Sequence, residues 1–181
     1  MARRNKHVQI FINGAVAFGI FATIVLYLQG GRLVDVILGI ASGITFGAGM
    51  AWFSTRTERR LAAKGYVVSD MSPTQERRIS LSVSDAEALA IAQAALATIP
   101  RINNIIVNPD AKTISARVGG GWKGWGDNIT VAVSNADGAS VLTIRSEPRD
   151  SAAIFDDGAG IENVETFVRA IDPRIVRRAD T

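Results

Sequence analysis

Two uninterrupted apolar segments near the N-terminus restrict the folds open to this chain more than any other feature. They cover residues 8–28 and 33–53, and each is 21 residues long. At about 1.5 Å of rise per residue, a helix of this length crosses a hydrocarbon layer of roughly 30 Å. Only four residues separate the segments, so they predict a hairpin of two transmembrane helices. A signal peptide followed by a core helix fits poorly, because no small-residue cleavage site follows the first segment.

Positive charges around the two segments predict their orientation. Three lysine or arginine residues precede the first segment and four follow the second, whereas the connection holds only Arg32. Such flanks stay on the cytoplasmic side, so we expect both termini in the cytoplasm and the protein in a bacterial-type inner membrane. Residues 54–74 are predicted to form a basic helical stalk and a linker. Arg56, Arg59 and Arg60 of the stalk are expected to contact anionic headgroups.

Small residues recur along one face of each apolar segment and allow two helix backbones to approach closely. The predicted packing residues are Gly39, Gly43, Gly47 and Ala51 in the second segment and Ala15 and Gly19 in the first. The favoured interpretation is that the hairpin packs on itself. The alternative is packing between protomers of a homo-oligomer, around a pore. Asn13 is expected to bond across helices, and Asp35 is expected to lie at the outer interface.

The charge of the chain divides at the end of the stalk. Residues 1–65 hold eight basic and two acidic residues, a net charge of +6, whereas residues 66–181 hold 12 basic and 15 acidic residues. A nucleic-acid-binding domain usually carries its positive charge on the folded part. The acidic C-terminal part therefore argues against a nucleic-acid partner.

Residues 75–181 have the pattern of one small cytoplasmic α+β domain. Alternating apolar residues predict strands, and apolar runs with capping and proline signals predict helices. The predicted strands cover residues 77–83, 102–107, 113–118, 128–134 and 140–146, and the helices cover residues 85–99 and 162–171. Short turns between consecutive strands favour a meandering antiparallel sheet. The expected fold is a two-layer sandwich with both helices on one face of the sheet.

A glycine-rich segment, VGGGWKGWGD, joins the third and fourth predicted strands. Its Gly-x-Gly-x-x-Gly spacing is that of a dinucleotide loop, but such a loop must lead into a helix, and this one leads into a strand. Two interpretations remain open. Trp122 and Trp125 either cover the open end of the sheet, or they contact the membrane surface or a partner together with Lys123.

The residue types restrict the possible chemistry. The chain has no cysteine and one histidine, His7, which excludes thiolate chemistry, histidine triads and multi-histidine metal sites. Carboxylates gather at Asp156, Asp157, Glu162 and Glu165. They could act as acid and base or hold a divalent cation, but acidic residues at a helix start also stabilise the helix dipole. No catalytic residue, metal or cofactor is predicted.

Three runs near the C-terminus resemble the end of an uncharacterised bacterial domain family. They are Ile144–Arg149, Phe155–Gly158 and Glu162–Glu165, which match a strand with Ser-x-x-Arg, an Asp-x-Gly turn and an asparagine at the next helix. The resemblance implies a shared fold and no activity. We hypothesise that Arg149, Asp157 and Asn163 form a structural clasp between this loop and helix.

The sequence as a whole indicates a membrane-anchored, non-enzymatic binding or scaffold protein. Its small α+β domain would meet an unidentified protein partner or the lipid bilayer in the cytoplasm. The alternative is an oligomeric membrane assembly or pore packed through the Gly39-to-Ala51 face. A carboxylate-dependent enzyme is the third and least supported interpretation.

Overall fold

The computed structural model divides the chain into two compact units, Met1–Met71 and Ser72–Thr181. The structure describes residues 6–68, 72–121, 124–136, 138–149, 158–173 and 175–176, of which residues 6, 7, 121, 124 and 125 are described in their backbone only.

The N-terminal unit consists of two long apolar helices, α1 (Lys6–Gly30) and α2 (Leu33–Ala63). The connection between them is shorter than predicted, because α1 continues through Gly30. Gly31 ends α1 with a positive φ of 62°, and its N–H donates to the Tyr27 carbonyl at 2.8 Å. Glycine is the usual residue at such a left-handed helix end. The two helices are therefore linked by only two residues.

Helix α2 continues without a break past the apolar segment and through residues 54–63, which include three arginines. At about 1.5 Å per residue its length is roughly 46 Å, well beyond a hydrocarbon layer of roughly 30 Å. Gly65 follows the helix with a φ of 71°, and its N–H donates to the Ala62 carbonyl at 2.8 Å. The helix thus stops at the glycine.

The C-terminal unit is an antiparallel five-stranded sheet with two helices, which confirms the predicted α+β class. The strands are β1 (Gln75–Leu81), β2 (Ile102–Asn108), β3 (Thr113–Gly121), β4 (Gly124–Ala136) and β5 (Ala139–Pro148), and the helices are α3 (Asp85–Leu96) and α4 (Ala159–Ala170). The spatial order is β1-β5-β4-β3-β2. Strands β2 to β5 form a meander, but β1 lies beside β5. Helix α3 carries the chain from one edge of the sheet to the other.

One face of the sheet forms the core with the two helices. Ile114, Val131 and Ile144 pair across β3, β4 and β5, and all three are fully buried. Phe167 of α4 is also fully buried and belongs to the same cluster. The period of two along each strand thus places every second residue under the helices.

Several element boundaries of the sheet domain differ from the prediction, including the end of α3, which stops at Leu96. Strands β3 and β4 extend through the glycine-rich segment, where Gly119 pairs with Gly126 and Gly121 pairs with Gly124. Helix α4 begins at Ala159, three residues earlier than predicted, because Gly158 is its N-cap with a φ of 102°. That backbone conformation favours glycine.

Candidate functional site

The glycines of α2 lie directly against the backbone of α1. Gly39, Gly43 and Gly47 are all buried. A Cβ atom placed on Gly43 would lie 2.5 Å from the Ala15 carbonyl oxygen and 2.6 Å from the Gly19 Cα. No side chain fits at these distances. The two backbones therefore touch through a glycine seam, and the spacing of small residues has its use within one hairpin.

The same seam continues at both ends. A Cβ atom on Gly39 would lie 2.6 Å from the Thr23 Cα, and one on Gly47 would lie 2.6 Å from the Phe11 carbonyl oxygen. Ala51, one turn further along α2, is half-buried. Gly49 of the same helix has open space around its Cα, so only the glycines that face α1 are sterically required.

Asn13 does not bond across to α2 within the hairpin. Its side chain is exposed on α1, and Ala15, which faces α2, is about 200° away around the helix. Among the described residues, none hydrogen-bonds to the Asn13 amide.

Asp35 has a structural role at the start of α2. Its Oδ2 accepts a hydrogen bond from the backbone N–H of Arg32 at 2.9 Å. This N–H precedes the first turn, so the carboxylate satisfies a donor that the helix leaves open. The position also places a negative charge near the positive end of the helix dipole.

The basic end of α2 presents its arginines to the surroundings. Arg56, Arg59 and Arg60 are all exposed. The Arg56 guanidinium lies 5.4 Å from the ring centroid of Trp52, a distance typical of a cation–π contact. Tryptophan and arginine thus lie together where the apolar part of the helix ends.

The glycine-rich segment is a strand hairpin with a two-residue connection. Gly126 has a φ of 87°, and a Cβ atom there would lie 2.7 Å from the Gly120 nitrogen, so glycine is required. No helix N-terminus follows the segment, and a dinucleotide loop needs one. Trp122 and Lys123 lie outside the described residues, and Trp125 is described in its backbone only. Both interpretations of these residues stay predictions.

A buried polar cluster joins β4, β5 and α4. The side-chain amide of Asn163 donates to Asp127 Oδ2 at 2.6 Å and lies 3.3 Å from Ser146 Oγ. Ser146 Oγ in turn lies 3.3 Å from Asp127 Oδ2. All three residues are buried. Burial of polar groups is costly unless they are paired, and these side chains pair with one another.

The predicted clasp is only partly represented in the structure. Asn163 is a member of the buried cluster, but its partners are Asp127 and Ser146, neither of which belongs to the predicted clasp. The backbone N–H of Arg149 donates to the Gly126 carbonyl at 2.9 Å. Asp157 lies outside the described residues. The sequence does contain a sign of Asp127: it lies two residues before Ile129, so alternation along β4 places both side chains on the buried face of the sheet.

An ion pair links helix α4 to strand β1. Arg77 Nη2 lies 2.9 Å from Glu165 Oε1, with 33% and 9% of the two side chains exposed. This contact gives Glu165 a structural partner. Of the other clustered carboxylates, Asp156 and Asp157 lie outside the described residues. Within the described part of the chain, no group of carboxylates and histidines is suited to hold a metal ion.

A second polar cluster surrounds the start of α3. Lys112 Nζ lies 2.6 Å from Asp85 Oδ2, and Ser140 Oγ donates to Asp85 Oδ1 at 2.6 Å. The hydrogen bonds from Lys112 and then Ser140 lower the pKa of Asp85 below its ordinary value. The Ser84 hydroxyl caps the helix by accepting from the Glu87 N–H at 3.3 Å. This cluster connects α3 to β5 and to the turn before β3.

Comparisons with known proteins leave the chain without a family. No protein-family model and no curated protein matches it. One similar solved structure is described as "Crystal structure of Ara h 8.0201"; it is 12% identical, and the match covers 54% of this chain and 93% of that chain, with a TM-score of 0.39. A likeness at this TM-score supports no argument. The resemblance over residues 144–165 likewise has no matching family model behind it.

Proposed function

We propose that this protein is anchored in the inner membrane by its helix pair and presents the sheet domain to the cytoplasm as a binding or scaffold module. The main support for this proposal is that the outer surface of the helix pair is apolar and exposed. The apolar windows of the two helices have mean hydropathies of 2.1 and 1.7, yet only 6% and 17% of their residues are buried. A core helix of a water-soluble protein is mostly buried, so these proportions favour lipid as the surroundings.

Individual side chains support the same conclusion. Phe21 is 62% exposed, and Ile20 and Ile37 are similarly accessible. Large contiguous apolar surfaces are rare on proteins that stay in water. Exposed arginines beside Trp52 would then lie at the headgroup level, where tryptophan and positive charge are both favoured. The excess of lysine and arginine outside the connection supports a cytoplasmic location for both termini.

The glycine seam favours a hairpin anchor over a pore packed through the same face. Gly39, Gly43 and Gly47 already contact α1 within one chain. A protomer contact through these glycines would require the hairpin to open and lose that packing.

The buried clusters of the sheet domain favour architecture over catalysis. Asp127, Ser146 and Asn163 are paired with one another in the interior, and Glu165 is paired with Arg77. A binding role is supported by β2, which is one of the two edge strands of the sheet. Ile106 on this strand is 63% exposed, and an edge strand can pair with a segment of a protein partner.

Extraction of membranes that carry the full-length chain tests the anchor. Alkaline carbonate releases peripheral proteins and leaves integral ones in the pellet. We expect the chain in the pellet at both low and high salt. Release by carbonate would contradict membrane insertion. Release by salt alone would mean that only the basic stalk holds the protein to anionic lipid.

A further inference from the structure

The Asn13 amide lies on the outer surface of α1 among apolar side chains. It is five residues beyond Val8, where the apolar window begins, so it would lie about 7.5 Å inside the apolar layer. Within the described residues, its amide has no hydrogen-bond partner. Polar side chains in membrane helices almost always face other protein groups or water. An amide that points away from its own hairpin therefore requires a partner.

Two other polar side chains of the helix pair, those of Thr45 and Asp35, have hydrogen-bond partners within the hairpin. Thr45 Oγ1 donates to the Ala41 carbonyl at 2.9 Å, and Asp35 accepts from the Arg32 N–H. Thr23 lies against Gly39 in the glycine seam. Asn13 differs from Thr45 and Asp35 because, among the described residues, neither its own helix nor the neighbouring helix supplies a hydrogen-bond partner.

The face of α1 that carries Asn13 continues into an open apolar groove. The groove lies between the two helices and is lined by Val16, Ile20 and Ile24 of α1 and by Val36, Ile40 and Ile44 of α2. Val16 and Ile20 follow Asn13 by three and seven positions, so they share its face. Ala17, one turn beyond Asn13, is small and exposed, which allows another backbone to approach.

We propose that a second copy of this chain packs against the Asn13 face, with the two Asn13 amides hydrogen-bonded to each other. A carboxamide contains both donors and an acceptor, so two identical residues complement each other across a two-fold axis. A lipid acyl chain could fill the groove but offers nothing to the amide. The inference rests on the proposed membrane insertion. It uses a surface different from the glycine seam, so the hairpin stays closed in the dimer.

Disulfide cross-linking tests this dimer, because the natural chain has no cysteine. Full-length Ala17→Cys is placed in membranes, washed with alkaline carbonate, oxidised and analysed by non-reducing electrophoresis. The matched control is Ala48→Cys. Ala48 is also exposed, and it follows Gly47, which contacts Phe11 and Ala15 on either side of Asn13. It therefore lies at the depth of Asn13 but on the other helix, outside the proposed interface.

We expect a covalent dimer from Ala17→Cys and little from Ala48→Cys. Adding Asn13→Leu to Ala17→Cys should reduce the dimer by about threefold or more, which is the scale of one interhelical hydrogen bond in lipid. Adding Asn13→Gln should preserve it, since the amide is retained. Equal cross-linking at both positions, or no loss with Asn13→Leu, would overturn the second-copy contact alone. Protein found in the carbonate wash would instead overturn membrane insertion and, with it, this inference.

Discussion

The helix pair exposes its large apolar side chains, whereas the sheet domain buries them. In the helix pair, the contact surface is made by Gly39, Gly43 and Gly47, and large side chains such as Phe21 face outward. In the sheet domain, large apolar side chains such as Phe167 are fully buried under the helices. The outer face of the sheet carries polar residues, including the exposed Arg117, Thr130 and Arg145.

If the helix pair is inserted in a membrane, as we propose, this difference follows from the solvent that each unit meets. Water drives apolar side chains together, so the sheet domain gains stability by burying them. Lipid is as apolar as leucine, so two helices in a membrane gain little by hiding such side chains from it. They are held together by close backbone contact, which glycine allows. The same types of large apolar side chain are therefore exposed in one unit of the chain and buried in the other.

The largest expected effect comes from the same substitution made in both units. Phe167→Ala should destabilise the sheet domain by about 3–5 kcal/mol, because it leaves a cavity in a fully buried core. Phe21→Ala should change the stability of the helix pair little, because the Phe21 ring is 62% exposed and loses little protein packing. Urea unfolding of the detergent-solubilised chain, followed by pulse proteolysis, measures both. A comparable loss from Phe21→Ala would mean that the outer surface of the helices is packed against protein.

The glycine seam can be broken with a control in the same helix. Gly43→Leu should destabilise the hairpin by about 1–3 kcal/mol or more, because its side chain would overlap the backbone at Ala15 and Gly19. Gly49→Leu should be nearly neutral, since that position opens onto free space. Proteolytic release of the helices in detergent over a temperature series reports the difference. Equal behaviour of the two variants would contradict the seam.

Inside the sheet domain, the buried polar cluster should contribute less than the apolar core. Asp127→Ala leaves the Asn163 amide without its 2.6 Å partner, and an unpaired buried donor costs about 1–3 kcal/mol. The control is Asp110→Ala, because Asp110 is exposed in the turn before β3. The free energy of unfolding in urea is measured for both variants, and we expect only Asp127→Ala to lower it. No difference between the variants would show that Asn163 finds another partner.

The smallest expected effect is a pH dependence at Asp85. The hydrogen bonds from Lys112 and Ser140 lower the folded pKa of Asp85 below the ordinary value of 3.8. A lowered folded pKa contributes stability above the ordinary value, and this contribution disappears as the pH falls through the folded pKa. The gap in stability between the natural chain and Asp85→Asn should therefore be constant near neutral pH and narrow below pH 3.8. A gap independent of pH would contradict the coupling.

The sequence was sufficient for the parts of this fold that depend on periodicity. Alternation at Ile129, Val131 and Val133 predicted β4, and the apolar runs predicted the two long helices. The position of β1 beside β5 could not be predicted, because alternation along a strand does not identify its neighbours. The glycine-rich segment gave no alternation at all, so its pairing as two strands was missed.

Contacts between side chains far apart in the chain also could not be predicted from the sequence. Asn163 was selected, but its partner Asp127 is 36 residues earlier, and spacing gives no sign of that contact. The direction of the Asn13 side chain could not be predicted, because a polar residue in an apolar segment has no fixed direction until the neighbouring helix is placed. The spacing of small residues selected Gly43, Ala15 and Gly19 as packing residues, but it does not specify which residues of α1 and α2 lie opposite each other.

The central claim is that the helix pair crosses the membrane with its connection outside and the sheet domain in the cytoplasm. Two single-cysteine variants test it, Gln29→Cys beside the connection and Ala111→Cys in an exposed turn of the sheet domain. A membrane-impermeant maleimide is applied to intact cells and again after permeabilisation. We predict labelling of Gln29→Cys in both conditions and of Ala111→Cys only after permeabilisation. Labelling of Ala111→Cys on intact cells would contradict the cytoplasmic domain, and protection of both positions until permeabilisation would contradict the membrane crossing.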